Sequence, residues 1–148
     1  MMVGLLHLLP EPAAAPAEAA RVLGPEGVLV TTVDKNDAYF VPDSDVARVT
    51  ARSRERYRPR AADGRGQVPD RAARNGLRPV GETVFPGTGQ GRSPRRWQEV
   101  VATGRIPWCR HAESARVAEV RDGLAALPQQ DSSRPDPQYR LLALEKAP

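Results

Sequence analysis

Cys109 and His111 carry the most reactive chemistry in the chain, which has one cysteine and two histidines and sets this pair in Trp108-Cys-Arg-His111. A thiol and an imidazole two residues apart could begin a metal site or a nucleophile–base pair. A metal would need three or four ligands at workable spacing, and only these two are close, so no metal is expected. A cysteine nucleophile needs a base held against it, and nothing in the sequence marks one. An inert, packed cysteine is the better reading. No residue stands out as catalytic.

Gly87-Thr-Gly89-Gln-Gly91 raises a second chemistry, since clustered backbone amides can cradle a cofactor. These glycines follow an apolar run and precede a helix signal, Ser93 as cap and Pro94 at the first helical position. A dinucleotide-type loop also requires a second strand after that helix, ending in an acid. The segment that follows, Gly104-Arg-Ile-Pro-Trp-Cys-Arg-His111, is too short and too interrupted by proline for that. A mobile lid over a substrate pocket suits the glycines better.

Asp34-Lys-Asn-Asp-Ala-Tyr-Phe40 offers a carboxylate, an amide and a phenol in one loop. Asp34, Asn36 and Tyr39 are therefore candidates to touch a small-molecule substrate, although an ordinary surface loop uses the same letters. The densest basic patch is Arg48, Arg52, Arg54, Arg56, Arg58 and Arg60. A nucleic-acid contact would interleave aromatic platforms or glycines, and only Tyr57 is near. Asp45 and Glu55 lie three residues from Arg48 and Arg52, the pattern of a solvated helix face. A nucleic-acid partner is not expected; an Arg-rich, non-catalytic binding module is kept as an alternative.

The elements that position these residues start with residues 3–34. Val3 to Leu9 is apolar, an alanine-rich run reaches Val22-Leu23, Gly24-Pro-Glu-Gly27 turns, and Val28 to Val33 is β-branched and apolar up to Asp34. This predicts strand–helix–strand. The two strands have no polar face, so they read as buried parallel strands covered by helices on both sides. In such open sheets ligands bind beyond the carboxyl ends of the strands, which is where Asp34 to Phe40 falls. Pro16 is a difficulty: inside the second turn it would cost about 3 kcal/mol, and a helix starting at Pro16 is very short.

Further along, residues 43–85 predict a helix from an Asp43 or Ser44 cap to about Tyr57, then a short helix closed by Asn75-Gly76, then a strand from Leu77 to Phe85. Residues 86–137 read as an insertion with two helices, one carrying Trp97, Val100 and Val101, the other Val117, Val120, Leu124 and Leu127. A polar, proline-rich linker covers 129–137, and residues 138–145 hold the last strand.

Leu6-His-Leu-Leu-Pro10, Glu18-Ala-Ala-Arg-Val-Leu23 and Gly27-Val-Leu-Val-Thr-Thr32 arrive in order at a spacing that resembles the fourth strand, fourth helix and fifth strand of class I S-adenosylmethionine-dependent methyltransferases of the small-molecule type. The resemblance extends to a helix closed by Asn-Gly before a sixth strand. It implies an α/β, Rossmann-like fold with a mostly parallel sheet and an antiparallel last strand lying between strands five and six. It implies S-adenosylmethionine as cofactor, with His7 and Leu8 beside it and Asp34 and Asn36 near substrate. The strands and glycine-rich loop that hold the cofactor in this family cannot be located ahead of Val3. The expectation is thus a single partial domain over 1–148, a C-terminal half with weak or no activity alone, or a non-catalytic remnant. Pairing through the strand edge left open, including self-association, is also expected.

A chain of 148 residues is normally one domain. The formal charge of +4 is almost all arginine, with lysine only at Lys35 and Lys146, and reads as a compositional bias rather than a built basic surface. The lone cysteine excludes an internal disulfide and suits a reducing compartment, and the cytoplasm is expected. No apolar run approaches the roughly 18 residues of a membrane helix.

Overall fold

The computed structural model describes residues 6–57 and 61–147. Its elements in chain order are α1 (Ala14–Val22), β1 (Val28–Val33), α2 (Asp45–Arg56), α3 (Gln67–Ala73), β2 (Leu77–Pro86), α4 (Pro94–Ala102), α5 (Ser114–Ala125) and β3 (Gln138–Lys146), with 3-10 turns at Leu6–Leu8, Lys35–Asp37 and Pro107–Arg110. The chain divides into two compact units.

The first unit takes Met1–Lys35, Arg60–Phe85 and Tyr139–Pro148 and holds a three-stranded sheet in the order β1-β3-β2. β1 is β-branched at every position but Leu29 and pairs antiparallel with β3, from Val28 opposite Glu145 to Val33 opposite Arg140. On the other side of β3, Arg78 reaches Glu145 at 2.6 Å, Gly81 lies against Ala143, and the rings of Phe85 and Tyr139 stand 5.5 Å apart. Partner numbers fall as β2 numbers rise, so this pair is antiparallel too. β3 therefore runs against β1 and β2, which share one direction. Leu29, Val33, Val68, Ala72, Leu77, Leu142 and Leu144 are buried together, and Ala15, Ala19, Ala20 and Leu23 of the α1 side pack onto them.

Two expectations change here. The last strand is antiparallel, as expected, but the described sheet is antiparallel at every neighbouring pair rather than mostly parallel, because β3 separates the two strands that run the same way. The strand expected over 3–9 falls in part on residues 3–5, which lie outside the described residues. Its Leu6–Leu8 portion is a 3-10 turn, with Leu6 buried in the first core. A short leucine run has no periodicity that separates strand from turn.

Pro16 sits comfortably. α1 starts at Ala14, so Pro16 is its third residue, in the first turn, where amides have no intrahelical acceptor and a missing N–H costs no hydrogen bond. Gly76 adopts φ +69°, the left-handed conformation that ends the α3 segment, and its carbonyl accepts from the Ala147 amide at 2.8 Å.

The second unit takes Asn36–Pro59 and Pro86–Gln138 and is built of α2, α4 and α5 around Phe40, Val46, Trp97, Val100, Val101, Ile106, Trp108, Val120 and Leu124. Ser44 Oγ caps α2 by accepting the Ala47 amide at 3.1 Å, and Ser93 Oγ caps α4 by accepting the Arg96 amide at 3.3 Å. A side chain at Gly123 of α5 would come within 3.0 Å of Val49 of α2, so this glycine lets the two helices approach. The proline-rich stretch after α5 is folded around Arg134, whose guanidinium donates to the Pro128 carbonyl at 2.7 Å, to the Ser132 carbonyl at 3.0 Å and to the Asp45 carboxylate at 2.9 Å. Among the described residues no helix is long and apolar enough to cross a membrane.

Candidate functional site

Within the second unit, the segment after β1 and the α4 segment enclose a cavity of about 170 Å³. Asn36, Tyr39 and Phe40 form one wall. Arg92, Arg96, Trp97 and Val100 form the second, and Arg105, Ile106 and Pro107 close it. Trp97 anchors the walls: its ring meets Tyr39 edge-on at 6.1 Å and Phe40 at 5.2 Å. The Arg92 guanidinium carbon lies 4.1 Å from the centre of the Tyr39 ring and 5.1 Å from that of Trp97. A cation over ring faces is attracted by their quadrupole, so the two rings hold the Arg92 side chain in place.

The glycine loop before Arg92 is what fixes it. Asp136 accepts the Gly91 amide at 2.7 Å and the Gly89 amide at 3.0 Å, and these bonds hold its carboxyl below the usual carboxylate range. A Cβ at Gly91 would stand 2.1 Å from the Arg134 carbonyl oxygen, so only glycine lets these backbones pass. The Arg134 amide in turn donates to the Arg92 carbonyl at 3.2 Å. The loop's amides thus serve Asp136, and the loop is a fixed support for Arg92 rather than a cofactor cradle.

The other sequence candidates lie elsewhere. Asp34 belongs to the first unit, adopts φ +49°, donates its amide to the Asp63 carbonyl at 2.9 Å and accepts the Arg65 amide on Oδ1 at 3.1 Å. His7 has its backbone in the 3-10 turn, and Leu8 beside it is 68% exposed. Asn36 and Tyr39 are the two candidates that the fold brings to one cavity. Cys109 is buried, which pushes its thiol up to about 11, while His111 is exposed. Among the described residues no group of three His, Cys, Asp or Glu could hold a metal.

The basic patch is largely engaged within the chain. Arg48 donates to the Asp43 carbonyl at 3.0 Å, Arg54 stacks on Phe40 at 4.2 Å, and Arg56 approaches Glu113 at 3.9 Å. Arg58 and Arg60 lie outside the described residues. The arginines that line the cavity, Arg92, Arg96 and Arg105, are ones that sequence reasoning passed over. They are scattered along the chain without local spacing, and the single signal was Arg92 standing directly after the glycines. A larger hollow of about 580 Å³ in the first unit, between Pro25, Glu26, Arg78, Glu145 and Lys146, has its Arg78 and Glu145 paired with each other.

For S-adenosylmethionine the described residues make a poor fit. His7 and Leu8, which the resemblance sets beside the cofactor, lie in a 3-10 turn with Leu8 exposed, and the one clustered set of glycine amides among the described residues is spent on Asp136.

No family model matches the chain, and no curated protein matches it. Among solved structures it is similar to a protein of Galdieria sulphuraria provisionally assigned as a sarcosine dimethylglycine methyltransferase, at 15% identity and a TM-score of 0.41, with 98% of this chain and 51% of that one covered. It is also similar to a provisionally assigned methyltransferase of Bacillus halodurans C-125, at 17% identity and a TM-score of 0.44, with 99% of this chain and 62% of that one covered. The chain thus spans between half and two thirds of the length of these structures.

Proposed function

We propose that the chain is the substrate-side, C-terminal half of a class I S-adenosylmethionine-dependent methyltransferase domain that acts on a small molecule. The observation that carries this is the strand order β1-β3-β2 with β3 antiparallel between two strands of like direction. It is the arrangement that the sequence resemblance requires of the family's last strand, between the fifth and sixth. The cavity with Asn36 and Tyr39, in the segment that directly follows β1, supports a small substrate there. The described residues build no complete cofactor cradle, so no reaction step is assigned to them. Their part is to bind and orient substrate, which for a reactive sulfonium donor is most of what the protein must supply. The outer edges of β1 and β2 are where further strands, of the same or a second chain, would pair. A cytoplasmic site of action fits the single buried cysteine.

The test is made on the native protein, captured from its own cells with an antibody to the C-terminal segment. Its intact mass is measured and it is photo-crosslinked to methyl-labelled S-adenosylmethionine. Uptake of label supports the proposal, and a mass above 16.1 kDa would show where the cofactor residues come from. Native protein heavier than 16.1 kDa, or 16.1 kDa protein captured together with its partner chain, that takes up no label at saturating cofactor overturns it.

A further inference from the structure

We infer that the cavity of the second unit is a binding site for a small oxyanion carried on an apolar body, with Arg92 and Arg105 as the groups that hold the anion. Three guanidinium side chains line a space of about 170 Å³, and no acidic side chain lines it. Arg96 is paired with Glu99, whereas among the described residues neither Arg92 nor Arg105 has a carboxylate partner. Elsewhere in this unit Arg95 is matched by Asp131 and Arg134 by Asp45.

Arg92 is the stronger element. Its guanidinium carbon lies 4.1 Å from the Tyr39 ring centre and 5.1 Å from that of Trp97, two rings that stand nearly perpendicular to each other, so aromatic contact rather than a carboxylate holds this cation. A half-buried cation in this state gains most from a fork of two oxygens, because charge-assisted, bidentate hydrogen bonds are about twice as strong as neutral ones. Arg105, which lines the same cavity, is exposed and adds a second donor. Phe40, Val100 and Ile106 give the remaining wall an apolar character. The volume is below the roughly 300 Å³ at which drug-sized ligands are usually held, so the ligand is small. That the anion is the anchor of a methyl-accepting substrate rests on the proposed function, whereas the binding itself rests on these residues alone.

Carboxylates and phosphate esters share this chemistry, and the test separates them. The full chain is titrated at low ionic strength with benzoate, phenyl phosphate and the neutral isostere benzamide, followed by calorimetry and by the indole resonances of Trp97. Benzoate or phenyl phosphate is expected to bind and benzamide to bind at least ~10-fold more weakly. The tighter of the two anions names the substrate class. Arg92→Gln and Arg105→Gln should each weaken the anion ~10-fold. Arg92→Lys should recover part of the loss, and Arg48→Gln, outside the cavity, should change nothing. Arg105 is exposed, so its variant decides the matter if Arg92→Gln loses its cooperative melt. Equal binding of benzamide, no binding of either anion, or full affinity in Arg105→Gln overturns the inference. Failure here with cofactor uptake intact removes the anion site and leaves the proposed function standing; the reverse result leaves an anion site on a protein that is not a methyltransferase.

Discussion

Burial, and not a neighbouring charge, decides what Cys109 does. The side chain is 8% exposed and its thiol is pushed up to about 11. At neutral pH only about one molecule in ten thousand would carry the thiolate, the form that reacts. Iodoacetamide should therefore leave the native protein unlabelled at neutral pH and label it fully in denaturant, read by intact mass. Labelling of the folded protein at the rate of a free thiol would show that the cysteine is accessible. Asp45 is governed by the opposite balance. Burial acts to raise its pKa, but hydrogen bonds from Arg134 and from the Val46 amide, with the charges of Arg134 and Arg48, outweigh it and hold the carboxyl below its ordinary value. The side chains of Arg134 and Asp45 are 13% and 23% exposed, so solvent screens the pair little. A carboxyl whose folded pKa lies below its unfolded one stabilises at pH above the unfolded value, and that contribution disappears as pH falls through the folded one. Asp45→Asn should accordingly lower stability by about 1–2 kcal/mol at neutral pH. The gap from wild type in thermal melts should close in acid. A gap that persists at low pH would mean that the pair contributes through packing rather than charge.

At the scale of elements, capping and β-branched runs were readable because each is local. Ser44, Ser93-Pro94 and Asn75-Gly76 mark helix ends through side-chain or backbone geometry that needs no tertiary partner, and Val28 to Val33 is a strand by composition. Pro16 misled because the start of α1 is not signalled: Ala13, its cap, offers no side-chain acceptor, so the register of the first turn could not be set from sequence. The glycine loop suggests a lid for a related reason. Its partner, Asp136, is some forty-five residues away and its fixed geometry depends on the fold bringing the two together. Substituting Gly91 with alanine tests that geometry, because the new Cβ would stand 2.1 Å from a backbone oxygen that cannot rotate away. Gly91→Ala should destabilise by about 3 kcal/mol, seen in chemical denaturation. It should also speed amide hydrogen exchange at Gly89 and Arg92. A variant as stable as wild type would show that the loop moves freely, as a lid does.

For the molecule as a whole, the antiparallel last strand was accessible through the family resemblance, while the composition of the cavity was not. Asn36 and Tyr39 could be marked because they directly follow β1, and in open sheets ligands gather beyond the carboxyl ends of strands. Arg92 and Arg105 reach the same cavity through the packing of α4 and its flanking loops on Phe40 and Trp97, contacts between residues more than fifty positions apart. Asp34 carries the same motif logic as Asn36, yet its Oδ1 takes the Arg65 amide in the first unit. Position in a loop does not reveal which backbone will compete for a carboxylate. The same division bears on the cofactor. Asn36 and Tyr39 line a formed cavity, whereas the His7–Leu8 segment proposed to lie beside S-adenosylmethionine is a turn with Leu8 exposed. Affinity for a ligand of that size depends on burying most of its surface and satisfying its polar groups at once, and one exposed turn can do neither. Calorimetric titration of the 148-residue chain with S-adenosylmethionine should thus give millimolar or weaker binding, a free energy no more favourable than about −4 kcal/mol. Micromolar affinity would mean that this chain by itself holds the cofactor, and the division of labour proposed for it, substrate here and cofactor elsewhere, would have to be abandoned.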